Sequence, residues 1–232
     1  STGTALPGTA NRTFNIGNSS NVADNVPDLI VSANISNGTL GTGSTTDGVI
    51  KSGSGMMSFT GTNTYGGQTS VTGGTLMVAS SDSLGNNTAT NNIALSNGGS
   101  LLANGTFDAG ANRTVALGTG GGNISATAGN AVTISGVVSG STALTVGNAT
   151  TGGSGTVILT STNTNTGTVD VNAGTLLVNN TTGSGTGSGA VTVNSGGTLG
   201  GNGIIGGNVT VGAGGILSPG ATASTSAGTL TI

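Results

Sequence analysis

A repeat of 18 residues near the C-terminus constrains the fold of this chain more than any other feature. Residues 191–199 have the sequence VTVNSGGTL, and residues 209–217 have the sequence VTVGAGGIL. In both segments a short apolar strand precedes two glycines and a second short strand. A short fixed period built on strands predicts a solenoid, in which each repeat forms one coil and stacks on the coil before it.

A longer period relates two parts of the chain at an offset of about 100 residues. Residues 55–65 (GMMSFTGTNTY) align with residues 155–165 (GTVILTSTNTN). Upstream, residues 11–17 (NRTFNIG) align with residues 112–118 (NRTVALG). The two copies indicate an internal duplication.

We therefore predict one β-solenoid domain over residues 1–232. Its internal quasi-repeats are expected at residues 11–108 and 112–206, and a C-terminal coil at residues 207–232. Disorder is the alternative for a chain rich in Gly, Ser, Thr and Asn, because ordering each residue costs about 1–2 kcal/mol of backbone entropy. The retained 18-residue register argues against disorder, although the first ten residues and residues 181–188 are expected to be loosely held.

Composition favours strands throughout. Glycine contributes 48 of the 232 residues, about three times its usual share of roughly 7%. The apolar residues occur in pairs one residue apart, as in VTI at 132–134 and LTV at 144–146, which is the period of a strand with one buried face. We predict an all-β fold, a right-handed parallel β-helix (β-solenoid) of roughly ten to twelve coils at about 4.8 Å per coil.

The same period predicts which side chains fill the interior. Residues at equivalent positions of successive coils should point inward and stack on one another. Phe59 should belong to this core, whereas Tyr65 either packs against a corner or contacts a glycan or a partner. The predicted inward positions are Leu76, Val78, Leu176, Val178, Val191, Val193, Leu199, Val209, Val211 and Leu217.

Residues 59–78 (FTGTNTYGGQTSVTGGTLMV) resemble the autotransporter-associated β-strand repeat, also called the passenger-associated transport repeat. Residues 159–178 retain the Asn-Thr pair, a glycine and the GTL triplet, but Asn165 stands where the repeat usually has tyrosine. Residues 215–220 (GILSPG) and 228–232 (GTLTI) resemble the end of such a block. The resemblance implies a secreted, right-handed parallel β-helix of a bacterial surface protein and no particular catalytic residue, so the expected location is extracellular or the bacterial outer surface.

The residues available for chemistry are few. The chain has no histidine and no cysteine, which removes the commonest general base, the usual zinc ligands and the Ser-His and Cys-His nucleophile pairs. Asp24 and Asp28 are close in sequence but are interpreted as a solvated turn, and Asp108 with Arg113 as a surface ion pair. The GGxGxD motif of calcium-binding β-helices is missing. We expect no enzyme activity, no cofactor and no metal.

Charge and hydropathy limit the partners. With 3 basic and 6 acidic residues the net charge is −3, so a nucleic-acid partner is not expected. The chain contains no run of about 20 apolar residues, which is the length needed to span a membrane. The first residues lack the basic and apolar regions of a signal peptide, which is expected to be absent or already removed.

Two functions remain open. The first is a non-catalytic extracellular structural solenoid that associates with itself, head to tail, into a surface or matrix fibre. A solenoid exposes unpaired backbone at its first and last coils, and the chain stops within the strand-like run at residues 230–232. The alternative is an adhesin, a passenger domain that binds host or neighbouring cells through an unidentified glycan or surface ligand. The residues predicted for self-association are Thr13, Phe14, Ile16, Leu230, Thr231 and Ile232.

Overall fold

Parallel strands dominate the structure, a computed structural model that describes residues 11–20, 23–37, 46–220 and 228–232. These residues form 21 strands and one turn of 3-10 helix at Ser81–Leu84. In chain order, strands β1 to β21 are Arg12–Asn15, Leu29–Val31, Val49–Ser52, Met56–Phe59, Thr69–Val71, Thr75–Val78, Ile93–Leu95, Gly99–Ala103, Phe107–Asp108, Val115–Leu117, Gly122–Ala126, Ala131–Ile134, Val138–Gly140, Leu144–Val146, Thr156–Leu159, Val169–Val171, Gly174–Val178, Val191–Val193, Gly197–Gly201, Val209–Val211 and Ile216–Pro219.

The strands form three parallel sheets, and each sheet runs along one face of a solenoid. The first sheet has the order β1-β3-β5-β7-β10-β13, the second β2-β4-β6-β8-β11-β14-β16-β18-β20, and the third β9-β12-β15-β17-β19-β21. The predicted all-β parallel solenoid is confirmed. The predicted count of ten to twelve coils is wrong, because the 21 strands correspond to about seven turns of three strands each, and even the longest sheet stacks only nine strands. Coil length varies more than the 18-residue repeat indicates: Val193 pairs with Val211, but Arg12 pairs with Val49.

Rows of aliphatic side chains fill the interior. Seven of the ten predicted core positions are fully buried, namely Leu76, Val78, Leu176, Val178, Val191, Val193 and Leu199. Phe59 and Tyr65 are also buried, so Tyr65 packs inside the solenoid. Three positions differ from the prediction, all of them in the last two strands. Val209 is half-buried, while Val211 and Leu217 are 42% and 41% exposed. They lie in register with buried residues of the preceding coil, but among the described residues no coil covers them.

The two sequence copies occupy different faces of the solenoid. Four successive pairings along the second sheet lead from Met57 to Val146. Val157, the residue aligned with Met57, lies beyond them on the third sheet. An offset of 100 residues therefore advances the chain by four coils and one face. The two copies therefore place similar local sequences at different corners of the solenoid, and the second copy is displaced from the first by one of the three sheets.

A column of glycines occupies one corner, two residues before β16, β18 and β20. A Cβ atom at Gly189 would overlap the carbonyl oxygen of Gly167 in the coil before it, and a Cβ atom at Gly207 would overlap that of Gly189. Coils separated by the spacing of paired strands, about 4.8 Å, leave no room for a side chain there. This close approach accounts for part of the high glycine content.

Buried asparagines join each coil to both neighbours at the turn of the repeat. Asn63 Oδ1 accepts the N–H of Ile35 in the coil before (2.8 Å), and its Nδ2 donates to the carbonyl of Ser83 in the coil after (2.6 Å). Asn163 makes the same pair of bonds, from the N–H of Val138 (2.8 Å) and to the carbonyl of Gly185 (2.6 Å). The conserved chemistry of the two copies is thus a coil-to-coil bridge that satisfies backbone groups inside the structure.

The expectation of a loose segment at residues 181–188 is wrong. The N–H of Gly185 donates to the carbonyl of Ile204 (2.8 Å), and the N–H of Ser188 donates to the carbonyl of Asn165 (3.0 Å). Thr186 is fully buried. The segment forms the corner of an interior coil, so both neighbouring coils hold it although its composition is that of a linker. The first ten residues, also expected to be loose, lie outside the described residues.

Substitution of Gly189 tests the close packing of the coils. Gly189→Ala should destabilise the folded chain by about 1–3 kcal/mol, because the new Cβ atom meets the carbonyl oxygen of Gly167 and the coils must separate locally. Gly17→Ala is the control, since nothing lies within 4 Å of a Cβ atom at that position. The free energy of unfolding is measured by denaturant titration. Equal stability of the two variants would contradict the packed glycine column.

Candidate functional site

The residues predicted for self-association lie at the two opposite ends of the solenoid, three at each end. Thr13 and Phe14 belong to β1, the outer strand of the first sheet, and Ile16 follows it. Thr13 is exposed, whereas Phe14 and Ile16 are half-buried against the core. The ring of Phe14 meets Phe59 edge to face, with ring centroids 6.1 Å apart. The first coil is thus anchored to the next one and leaves its other edge open among the described residues.

The C-terminal members of the set form the last described segment. Leu230 is half-buried against the core, and Ile232 is 60% exposed. Thr231 bridges Ile204 in a parallel arrangement: its N–H donates to the carbonyl of Gly203 (3.0 Å), and its carbonyl accepts the N–H of Ile205 (2.8 Å). These backbone groups of Thr231 are therefore engaged within the chain, so a second chain would have to pair with other groups.

Open pairing groups lie instead on β20, which is outside the set of residues predicted for self-association. Val169 and Val191 donate their N–H groups to carbonyls of the following coil, those of Ala190 (2.9 Å) and Asn208 (2.8 Å). Val209 occupies the same row in β20, the outer strand of the second sheet, and no acceptor follows it in the described ranges.

Apolar side chains accompany these open edges. Val193 and Leu199 are completely buried, and the next residues in their rows, Val211 and Leu217, are about two-fifths exposed. At the opposite end Ile30 of β2 is 61% exposed. Uncovered strand edges with apolar side chains are a template for pairing with another strand, and natural proteins usually protect them.

Asp24 and Asp28, the pair considered for catalysis, have different environments. Asp28 accepts the N–H of Ser19 at Oδ1 (2.7 Å) and the N–H of Met56 at Oδ2 (2.8 Å). These two backbone bonds lower the pKa of Asp28 and keep it ionised. Asp24 is exposed and accepts Nδ2 of Asn18 (3.1 Å). Asp28 therefore ties the first loop to β4, a structural role that the sequence did not indicate.

Lys51 is buried at an inward position of the first sheet, in register with Phe14 and Val71. Its Nζ atom donates to the carbonyls of Gly53 (2.8 Å) and Gly73 (2.9 Å), which lie at corners of successive coils. Burial lowers the pKa of Lys51 to about 8, although the charge of Asp28 opposes the shift. The ammonium thus joins two corners whose carbonyls face the interior.

The expected surface ion pair between Asp108 and Arg113 does not form. Asp108 is exposed and accepts the N–H of Gly110 (2.8 Å) and the hydroxyl of Ser135 (2.5 Å). Arg113 is fully buried and donates to Oδ1 of Asn91, from Nε (2.9 Å) and from Nη2 (2.7 Å). Its remaining acceptors are the hydroxyl of Ser81 and the carbonyls of Ala109, Gly85 and Asn91. The guanidinium points inward because neutral oxygens at the coil corner satisfy all of its nitrogens.

Comparison with known families identifies the repeated segments. The model of the passenger-associated-transport-repeat family matches residues 49–78 and 150–178. The first match spans strands β3 to β6 and the second spans β15 to β17, and the bridging asparagines Asn63 and Asn163 lie in the turns that follow β4 and β15. The resemblance predicted from the sequence is confirmed. Fold and repeats together define an autotransporter-passenger-like β-solenoid.

One relative extends this similarity. The "Adhesin BmaC autotransporter" of Brucella suis biovar 1 (strain 1330) is 49% identical to this chain over 76 residues. That alignment covers 33% of this chain and 2% of the relative's length. No solved structure gives a significant match. The repeat and the relative confirm the expected location, which is extracellular or the bacterial surface.

None of the helical segments among the described residues has the length and apolar character needed to cross a bilayer. In the same residues no group of three or more His, Cys, Asp or Glu side chains is placed to share a metal ion.

Stability at alkaline pH tests the buried Lys51 and Tyr65. Between pH 8 and 10.5 the unfolded chain holds a proton on Lys51 that the folded chain lacks, so the free energy of unfolding should rise with pH by up to about 3 kcal/mol. Burial raises the pKa of Tyr65 to about 12, although its bond to Thr69 (2.7 Å) opposes the shift. Between pH 10 and 12 the folded chain therefore retains a proton that the unfolded chain loses, and stability should fall.

The two opposing slopes are separated with variants, by following denaturant unfolding from pH 7 to 12. Lys51→Met should abolish the rise and Tyr65→Phe should abolish the fall, whatever each costs in absolute stability. A wild-type profile that declines steadily from pH 8 would contradict the burial of the lysine.

Proposed function

We propose that this chain is a non-catalytic, extracellular structural β-solenoid that associates end to end with further copies into a surface or matrix fibre. The observation that carries the proposal is the uncovered outer edge of β20 and β21 among the described residues. Their inward residues Val211 and Leu217 are half-exposed, whereas the same rows one coil earlier are completely buried. A following coil would bury these side chains and pair the backbone of β20 and β21, as the interior coils do for one another.

The first described coil offers a matching surface for that role. Leu29 and Val31 of β2 lie in the same inward rows as Met57 and Phe59 and are only half-buried. The strand LIV of β2 and the strand VTV of β20 have the same length and the same apolar positions. If β2 of a second copy paired with β20, the second sheet would continue into that copy. Apolar side chains of the two strands would then stack, and the backbone groups of β20 would be paired. Such heterologous, head-to-tail contacts generate open filaments.

A passive role agrees with the chemistry of the side chains. Asp28 holds backbone N–H groups, and Arg113 and Lys51 are buried with neutral acceptors. These charged groups stabilise corners of the solenoid instead of facing a substrate. The match to the passenger repeat and the similarity to an autotransporter also support a structural role as a passenger segment.

The second candidate function is adhesion, in which the solenoid carries a binding surface for host or neighbouring cells. The name of the relative, an adhesin, favours it, although the aligned part is a small fraction of that protein. The two candidates differ in their requirements. A fibre needs the terminal strands, whereas an adhesive rod needs a site on its side.

A charge introduced at an inward-facing position of β20 tests whether the chain associates end to end. Val211→Lys should prevent end-to-end association, because a second coil would bury an unpaired ammonium, while the partly exposed side chain costs the isolated chain little. Thr210→Lys is the matched control: it adds the same charge to the same strand on its exposed outer face. Mass is followed by light scattering against concentration, and filaments by negative-stain electron microscopy.

Wild type and Thr210→Lys should form long assemblies that persist at high ionic strength, since few charges contribute to the contact. Val211→Lys should stay monomeric. A wild-type chain that remains monomeric at high concentration contradicts the fibre and leaves adhesion as the better candidate.

A further inference from the structure

Part of the outer face of the second sheet is covered, unlike that of an ordinary solenoid. Ser58, Leu102 and Ser125 alternate with inward-facing residues and so point away from the core, yet each is at most 4% exposed. A turn at residues 148–153 lies against Ser125. The turn is closed by reciprocal backbone bonds between Asn148 and Gly153 (2.8 and 2.7 Å).

This turn meets the loop before β2, although more than a hundred residues separate them. A Cβ atom at Gly152 would lie 3.8 Å from Cβ of Asn25. Between the two segments and the start of β4 and β6 lies a pocket of about 300 Å³. Its size is at the lower end of the range for small-molecule sites, about 300–1,000 Å³.

Polar groups that the fold does not use line this pocket. Among the residues that the structure describes, Asn18 alone donates to the carboxylate of Asp24, and it does so at Oδ1. Within the described part of the chain, the hydroxyls of Thr75 and Thr150 have no hydrogen-bond partner, and neither has the side-chain Nδ2 of Asn148. The pocket therefore presents acceptors and donors together, all held by segments whose backbone is fixed by other bonds.

The lining selects the chemical class of the ligand. No basic side chain lines the pocket and two aspartates do, so an anionic ligand would be repelled. The only apolar side chain is Met56, so an apolar ligand would leave the polar groups unsatisfied. A sugar residue carries several hydroxyls, each both donor and acceptor, on a ring of a size that suits such a pocket. A carboxylate, an amide and neighbouring hydroxyls match that pattern.

We propose that this lateral pocket, formed by the described residues 18–20 and 23–28, the start of β4 and β6 and the turn at residues 148–153, binds a neutral sugar residue of a glycan. The site is complete within one chain and uses neither β20 nor β21. It goes beyond end-to-end association and gives the adhesive candidate a defined place on the side of the solenoid.

The test uses three probes, D-galactose, D-mannose and N-acetyl-D-glucosamine, titrated into the ¹⁵N-labelled chain at a dilution that keeps it monomeric. At least one of them should produce saturable amide shifts confined to residues 18–20, 23–28, 54–56, 75 and 148–151. With few polar contacts, the expected Kd is on the order of 1 mM. Absence of saturable shifts with all three probes, or shifts spread over the whole surface, would overturn the proposal.

Two variants locate the binding. Asp24→Asn should weaken it about tenfold or more, because it removes the charged acceptor while the amide oxygen can still accept from Asn18. Asp108→Asn is the matched control, an exposed carboxylate outside the pocket, and should leave the Kd unchanged. An unaltered Kd in Asp24→Asn contradicts the site. Shifts of the same residues by calcium chloride alone, lost in Asp24→Asn, would make this a cation site and also overturn the proposal.

The outcome is separable from that of the fibre. Val211→Lys should bind the sugar as wild type does, because its substitution lies at the far end of the solenoid. A monomeric chain that binds sugar would reject the fibre alone, and a polymer without sugar binding would reject the pocket alone.

Discussion

Hydrogen bonding between parallel strands of successive coils is the interaction on which the rest of this structure depends. It fixes the separation of the coils at about 4.8 Å, and every other feature accommodates that distance. Inward side chains must stack in rows of similar residues, as in the sequence of pairings from Met57 to Val146. At the corners the backbones of successive coils lie in contact, and only a residue without a side chain fits at positions 167, 189 and 207. The composition of the chain follows from this single constraint.

The corners also create carbonyl and N–H groups that face the interior, and buried polar side chains satisfy them. Asn63 and Asn163 each bond to the coils on both sides, Lys51 joins two corners, and Arg113 donates to five oxygen atoms of four residues. An unpaired buried carbonyl costs about as much as a lost hydrogen bond, so the bonds to these carbonyls stabilise the solenoid. Two of the three basic residues of the chain are used in this way.

The repeats were sufficient to predict the fold class and most of the core, because a stacked coil shows its inward rows as a period of two and its length as a period of 18. The repeats did not predict the number of coils, because the loops at the corners differ in length and the strand pattern does not show how long each loop is. The burial of Lys51 and Arg113 was also missed. Their roles depend on carbonyls that successive coils bring together, and no spacing in the sequence marks those carbonyls. The pocket beside Asp24 escaped for the same reason: it needs a turn from a coil far along the chain.

The terminal coils differ from the interior coils in having one neighbour among the described residues instead of two, and stability should be graded accordingly. Amide hydrogen exchange of the dilute chain, followed residue by residue, measures this gradient most directly. We predict slow exchange in β16 and β18, and exchange at least about tenfold faster in β20 and β21, whose outer edges are open among the described residues. Protection in β20 equal to that in β18 under monomeric conditions would contradict the claim that coil-to-coil pairing holds the solenoid together.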